Sequence, residues 1–182
     1  MNAAALPQIR VIGDGFPHAE PGGPFGSDLI VAPDILHVAS LAAMTPAGRD
    51  AVLFLVQSLE DETLVSFAVD IRVGDDGALT RRFLAASDIV TLSEADAAWL
   101  FPGAGRDEVI DRVLGLGPSL VALATRKGTR LGTRGARWSV PEDNPGLIVE
   151  MLRTITTVMT CGTTANDLRD QHFEQLRVPA GV

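Results

Sequence analysis

The sequence has one cysteine, no tyrosine and few aromatic residues, and these shortages limit the cross-links, metal sites and core that the chain can form. Cys161 stands alone, so the chain can form no internal disulfide, and it lacks the Cys/His spacing of a structural zinc site. Aromatic residues make up 5% of the chain, whereas hydrophobic residues make up 46%. The core must therefore be built from aliphatic side chains, which are typical of a sheet covered by helices on both faces.

Positive charge and long apolar runs are also scarce. The formal net charge is -8, which argues against binding to nucleic acid or to an anionic membrane. Residues 1–13 lack the pattern of a signal peptide, and the most apolar segment, residues 29–44, is interrupted by Pro33, Asp34 and His37. We therefore expect a cytoplasmic protein with no nucleic-acid or membrane partner.

Turn signals divide the chain into a loop-rich start, residues 1–34, and a series of alternating strands and helices. Strands are predicted at residues 9–12, 35–39, 64–69, 89–92 and 120–124, followed by a hairpin whose return arm is 137–140. Helices are predicted at residues 47–61, 94–101 and 107–116. This alternation predicts a single α/β domain over residues 1–182, with a mostly parallel sheet flanked by helices on both faces.

Two helix starts are marked by residues that cap helices. Thr45 precedes Pro46, which is typical of an N-cap followed by proline at the first helical position. Ser93 precedes acidic residues in the next predicted helix, as the helix dipole favours. The predicted inward face of the first helix follows the i, i+3, i+4, i+7 pattern and consists of Val52, Leu55, Val56 and Leu59.

Polar residues follow three of the predicted strands. Because the carboxyl ends of parallel strands meet at one edge of a sheet, and ligands of such sheets bind outside that edge, we expect these residues to lie together. They are Asp70, Arg72, Ser93, Asp96 and Thr125.

Four segments, taken in order, resemble the ribokinase-like (PfkB) carbohydrate and nucleoside kinases. They are PDILHVASLAAMTPAGRDAV, VSFAVDIR, DIVTLSEADAAWLF and GPSLVALATRKG with the following GARWSVP, and they cover roughly residues 30–141. The resemblance implies a ribokinase-like fold that is truncated and lacks the family's β lid. Residues 35–141 would form its core, and residues 142–182 a C-terminal helical region with a degenerate catalytic motif.

The resemblance also implies ATP and Mg²⁺ as cofactors and gives each polar residue a role. Asp70 and Arg72 would contact the sugar or nucleoside substrate, and Asp96 would help to order the metal. The residues implied in nucleotide binding are Ser93, Thr125, Lys127 and Gly128. The alternative for Ser93 and Asp96 is an ordinary helix start with no metal, and for Asp70 and Arg72 a solvated ion pair.

The family's catalytic DTTGAGD segment has its nearest match at residues 159–165, and the match is incomplete. Gly162 aligns with the first glycine, but Thr164 replaces the second and Ala165 replaces the catalytic base. Gly162, Thr163 and Thr164 would form the anion hole. Asp167 is the candidate displaced base, although two residues on a helix move its carboxylate roughly 200° around the axis.

These departures leave three hypotheses. The first is a degenerate kinase fold acting as a binding, scaffold or regulatory module, with a second copy or a partner chain covering an exposed part of the sheet. The second is a reduced ATP-dependent kinase that transfers the γ-phosphate to a hydroxyl of a sugar or nucleoside. The third is a repurposed enzyme with Cys161 as its nucleophile.

Overall fold

The computed structural model describes residues 9–12, 34–39, 41, 44–59, 62–70, 77–140, 155 and 163–169. The strands in these ranges are β1 (Ile9–Ile12), β2 (Ile35–Val38), β3 (Leu64–Ala68), β4 (Ile89–Ser93), β5 (Leu120–Thr125), β6 (Gly128–Gly132) and β7 (Arg137–Val140). The helices are α1 (Pro46–Ser58), α2 (Ala78–Ala85), α3 (Glu94–Leu100), α4 (Arg106–Leu114) and the short α5 (Ala165–Asp167).

No helix in the described ranges is long and apolar enough to cross a membrane.

The strands form one sheet in which their spatial order is their sequence order, β1 to β7. Strands β1 to β5 are parallel to their neighbours, and β6 and β7 are added as an antiparallel hairpin. The predicted mostly parallel α/β sheet is confirmed, and the return arm of the hairpin lies at the predicted residues 137–140.

The winding of the sheet explains where the helices lie. Right-handed crossovers that always move the chain in the same direction across a parallel sheet place every connecting helix on the same face. Helices α1 to α4 accordingly share one hydrophobic core with alternate residues of the strands, such as Val65, Phe67 and Val90. We call this side of the sheet the first face.

The opposite side, the second face, carries the other alternate strand residues. Its core contains the residues at the amino ends of four strands together with three residues from the C-terminal region: Ile35, Leu64, Ile89, Leu120, Ile155, Ala165 and Leu168. The chain after the sheet therefore returns to cover the face that the crossovers leave bare. This arrangement confirms the prediction of helices on both faces.

Helix α1 begins as the sequence predicts, but its buried face is shifted toward Leu53, and the predicted Leu59 is only partly buried. Thr45 is the N-cap, and its Oγ1 accepts a hydrogen bond of 3.2 Å from the amide of Gly48. Val52 and Val56 are buried as predicted, whereas Leu55 is only partly buried and Leu53 is fully buried. A helix packed on a flat sheet contacts it on both sides of a single i, i+3, i+4 row, which brings Leu53 inward.

Helix α2 was not predicted, and the reason is a missing start signal. Its N-cap is Gly77, which has no side chain to bond the first turn, and two arginines interrupt its short apolar pattern. Tertiary packing supplies what the local sequence lacks, because Phe83 is fully buried and stacks on Phe67 with ring centroids 5.2 Å apart.

Asp88 joins the amino ends of three strands to the C-terminal region. Its carboxylate accepts a hydrogen bond of 2.8 Å from the amide of Val65, and its carbonyl oxygen accepts bonds from Ser119 and Leu120. Arg169 binds both carboxylate oxygens, at 2.6 Å through Nε and 3.2 Å through Nη2. The same guanidinium also donates to the Thr63 carbonyl at 2.9 Å, so α5 is tied to this edge of the sheet.

Replacing Arg169 with Gln tests how strongly this contact holds the C-terminal region. The side chains of Arg169 and Asp88 are 22% and 16% exposed, between a surface pair and a buried one. We therefore expect the free energy of unfolding to fall by about 1–3 kcal/mol, because a shielded carboxylate loses its cation. Urea unfolding followed by circular dichroism measures it.

The matched control is Arg112→Gln, which breaks the exposed pair between Arg112 and Glu108, with side chains 49% and 52% exposed. That substitution should cost less than about 1 kcal/mol. Equal losses in the two variants would show that the Arg169 contact has no special role.

Candidate functional site

Three of the predicted site residues lie at the carboxyl ends of neighbouring strands. Ser93 is the last residue of β4 and pairs in register with Ala124, one position before Thr125 at the end of β5. Asp70 follows β3, the neighbour of β4 on the other side, by two residues. These three residues therefore lie at one edge of the sheet, which we call the carboxyl edge, whereas Arg72 lies outside the described residues.

Ser93 and Asp96 form a reciprocal capping box at the start of α3. The Asp96 amide donates to Ser93 Oγ at 3.2 Å, while Asp96 Oδ2 accepts from the Ser93 amide at 2.8 Å and from its hydroxyl at 2.5 Å. Asp96 is 7% exposed. Two orphan donors of the helix start are satisfied in this way, which is the structural alternative that the sequence left open.

Thr125 and Gly128 close a tight turn between β5 and β6. The hydroxyl of Thr125 donates to the Gly128 carbonyl at 2.7 Å and accepts from the Lys127 amide at 3.2 Å. Gly128 has a φ of 119°, in the region that favours glycine, and it is buried. The turn explains Thr125 and Gly128 without a nucleotide, whereas Lys127 is exposed beside them.

Glu94 belongs to this edge, and sequence analysis missed its contacts. Its Oε1 accepts hydrogen bonds from Arg106 Nε at 2.8 Å and Nη2 at 2.6 Å. The pKa of Glu94 is lowered mainly by the hydrogen bond from Arg106, with further contributions from the backbone amide and the charge of Arg126. Glu94 thus links the starts of α3 and α4.

The candidate catalytic turn repeats the geometry of the first capping box. Asp167 Oδ2 accepts from the Thr164 amide at 2.9 Å and from its hydroxyl at 2.7 Å, and the Asp167 amide donates to Thr164 Oγ1 at 3.1 Å. Thr163 immediately precedes this box and is half-buried. Gly162, Arg72 and Cys161 lie outside the described residues.

Asp96, the predicted magnesium ligand, is oriented toward the start of its own helix. Asp96 is the predicted ligand, but its Oδ2 already accepts two hydrogen bonds and the side chain is shielded from water. Mg²⁺ needs accessible carboxylate oxygens and keeps several of its waters. Within the described ranges, no three His, Cys, Asp or Glu side chains are grouped so that they could hold a metal ion.

Comparison with known proteins gives a match in structure but not in sequence. The sequence matches no protein-family model and no curated protein. A fructokinase from Xylella fastidiosa with bound ATP is 20% identical, has a TM-score of 0.63 and is matched over 75% of this chain and 46% of its own. An aminoimidazole riboside kinase from Salmonella enterica is 14% identical, has a TM-score of 0.54 and is matched over 70% of this chain and 48% of its own.

A PfkB protein from Polaromonas sp. JS666 is also similar, with 15% identity, a TM-score of 0.52 and coverage of 76% of this chain and 50% of its own. At such identities the likeness concerns the fold, and it confirms the resemblance at that level. The chain has part of the ribokinase-like fold. It spans about half the length of these solved relatives, or slightly less.

The capping box at α3 can be tested by a double-mutant cycle. Ser93→Ala and Asp96→Ala should each lower the free energy of unfolding by about 1 kcal/mol, because each removes a partner of the first helical turn. Since each side chain needs the other, the double variant should lose less than the sum. Urea unfolding followed by tryptophan fluorescence measures all three variants.

Thr45→Ala combined with Asp96→Ala provides the control. Thr45 caps α1, which has no acidic residue in its first turn, so this pair belongs to two separate helix starts. The losses in the free energy of unfolding caused by Thr45→Ala and Asp96→Ala should therefore add. Additive effects for Ser93 and Asp96 as well would contradict a reciprocal box.

Proposed function

We propose that the chain is a catalytically degenerate ribokinase-like module that acts in the cytoplasm by binding, as a scaffold or a regulator. One observation carries the proposal. Both carboxylates that the family resemblance assigns to chemistry, Asp96 and Asp167, are held in capping boxes at the starts of their own helices.

The chemistry of phosphoryl transfer explains why this observation matters. A catalytic carboxylate must reach the acceptor hydroxyl and take its proton, and a metal-binding carboxylate must turn an oxygen toward the ion. Asp167 Oδ2 accepts two hydrogen bonds from Thr164, which hold the carboxylate against the start of its own helix. Ala165 stands at the position that holds the base in the family, and it is buried in the core on the second face of the sheet.

We further propose that a second copy or a partner chain covers the β1 end of the sheet. Strand β1 stands first in the strand order, and its Ile9 and Val11 are 38% and 53% exposed. Exposed apolar side chains on a terminal strand favour association, because a further strand or apolar surface removes them from water.

A reduced kinase is the second candidate, and the carboxyl edge supports it. Ser93, Thr125, Lys127 and Gly128 lie at the ends of adjacent strands, where ligands of open α/β sheets bind. The solved relatives include a fructokinase and an aminoimidazole riboside kinase, so the substrate would be a sugar or nucleoside, with ATP and Mg²⁺. A Cys161-dependent enzyme is a third possibility, and that residue lies outside the described ranges.

A turnover assay separates the first two candidates. We expect no transfer from Mg-ATP to fructose or to ribosides above the background of ATP hydrolysis, because the base is engaged in its own helix cap. Chromatographic detection of ADP and of phosphorylated acceptor measures it. Asp167→Asn should match the wild-type protein, as should Asp111→Asn, an exposed carboxylate on α4.

A reduced kinase predicts a different result. Transfer would be detected, and Asp167→Asn would lower its rate by about 100-fold or more while Asp111→Asn would not. That outcome would contradict the degenerate module and support the reduced kinase.

Sedimentation tests the proposed association. We expect the wild-type protein to sediment as a dimer or larger species and Val11→Glu to sediment as a monomer, because the charge would be buried in the contact. Phe54→Glu is the matched control, since Phe54 is 73% exposed on α1 rather than on β1. A monomeric wild-type protein at every concentration, or dissociation by Phe54→Glu alone, contradicts a contact between two copies through β1.

A further inference from the structure

A row of three side chains crosses the second face near the β1 end of the sheet. Val11, His37 and Ser66 are neighbours in register on β1, β2 and β3, and we call them the boundary row. Ser66 is fully buried, His37 is half-buried and Val11 is 53% exposed. His37 therefore lies at the boundary between the covered core of this face and the exposed strand β1.

A hydrogen bond holds the imidazole of His37 in place. It joins Nδ1 to Ser66 Oγ over 3.0 Å, and burial lowers the pKa of His37 from its ordinary value. A neutral imidazole has one donor and one acceptor nitrogen, whereas the imidazolium has two donors and a charge. His37 is therefore neutral near neutral pH and becomes a cation only in more acidic solution.

The residues that flank His37 on the neighbouring strands are uncharged. They are Val11 on β1 and Ser66 on β3, and β3 itself contains no charged residue. Charged residues of β1 and β2 stand further off. Arg10 is one register position away, and Asp34 lies three residues before His37, roughly 10 Å along the strand.

Helix α5 is the described helix that packs on this face, and its charged residues are bonded to other groups. Asp167 is held in its capping box with Thr164, and Arg169 is bound to Asp88. The boundary row is therefore uncharged at neutral pH, and it gains one positive charge when its histidine is protonated.

We propose that a second copy of the chain covers the boundary row, and that protonation of His37 separates the two copies. Because the chain has a formal net charge of -8, identical copies repel one another overall, and an uncharged patch with an exposed Val11 favours their contact. In a symmetric contact each copy presents the same residues, so protonation would bury one charge from each copy. The inference rests on the association proposed above and specifies its partner and its regulation.

Sedimentation equilibrium of the full chain between about pH 8 and about pH 5 tests this control. We expect the dissociation constant of the wild-type dimer to be constant above about pH 7 and to rise by up to about 100-fold per pH unit below the pKa of His37, because each copy takes up one proton. His37→Gln is neutral at every pH, so the dissociation constant of its dimer should not change. Circular dichroism should show that the separated copies remain folded.

The matched controls are the same substitution at the other two histidines, His18→Gln and His172→Gln, which lie outside the described residues. Each should keep the pH dependence of the wild-type protein. Loss of that dependence in either control, its persistence in His37→Gln, or unfolding over the same pH range would overturn the role of His37.

A second measurement needs no variant. Dilution of the wild-type dimer in a calorimeter, in buffers that differ in ionisation enthalpy, measures the protons taken up on dissociation. We expect uptake in mildly acidic buffer and none at about pH 8. Dissociation without proton uptake in acidic buffer would overturn the proposal.

Sedimentation also separates the pH control from the association itself. A wild-type protein that is monomeric at about pH 8 would remove the association and the pH control together. A wild-type dimer with the same dissociation constant at about pH 5 would remove the pH control alone. Detected phosphoryl transfer would remove the degenerate function and leave both to be judged by sedimentation.

Discussion

The direction in which the sheet is wound is the constraint on which the rest of the structure depends. Because β1 to β5 follow one another across the sheet in sequence order, their crossover helices share the first face. The second face would stay exposed without the chain that follows β7. Ile155, Ala165 and Leu168 bury it, and the contact between Arg169 and Asp88 fixes α5 at the amino ends of the strands. The capping box at the start of α5 therefore belongs to the segment that covers the second face.

The two capping boxes show that the needs of a helix start alone can account for a Ser or Thr followed by Asp. A Ser or Thr followed three residues later by Asp satisfies the free amides of a helix start whether or not a ligand is present. The same spacing places a carboxylate beside a ligand in a kinase. The resemblance at Ser93–Asp96 is therefore evidence for a helix start first, and the contacts between Thr164 and Asp167 are likewise those of a helix start.

The sequence was informative wherever local chemistry decides the structure. Thr45 with Pro46 and Ser93 with Asp96 predicted two helix starts, and aliphatic runs predicted the parallel strands. Helix α2 was not predicted because its formation depends on the contact between Phe83 and Phe67, and no local sequence pattern indicates that contact. Glu94 and Arg106 were missed for a related reason, since the break between α3 and α4 separates them and no helical spacing relates them.

The carboxyl edge differs from the rest of the surface in how its charges are balanced. Along α4 each arginine contact is one to one, as in a solvated helix face. At the start of the same helix, Arg106 donates twice to a single oxygen of Glu94. Exposed pairs of this kind contribute little to stability, because both groups stay hydrated.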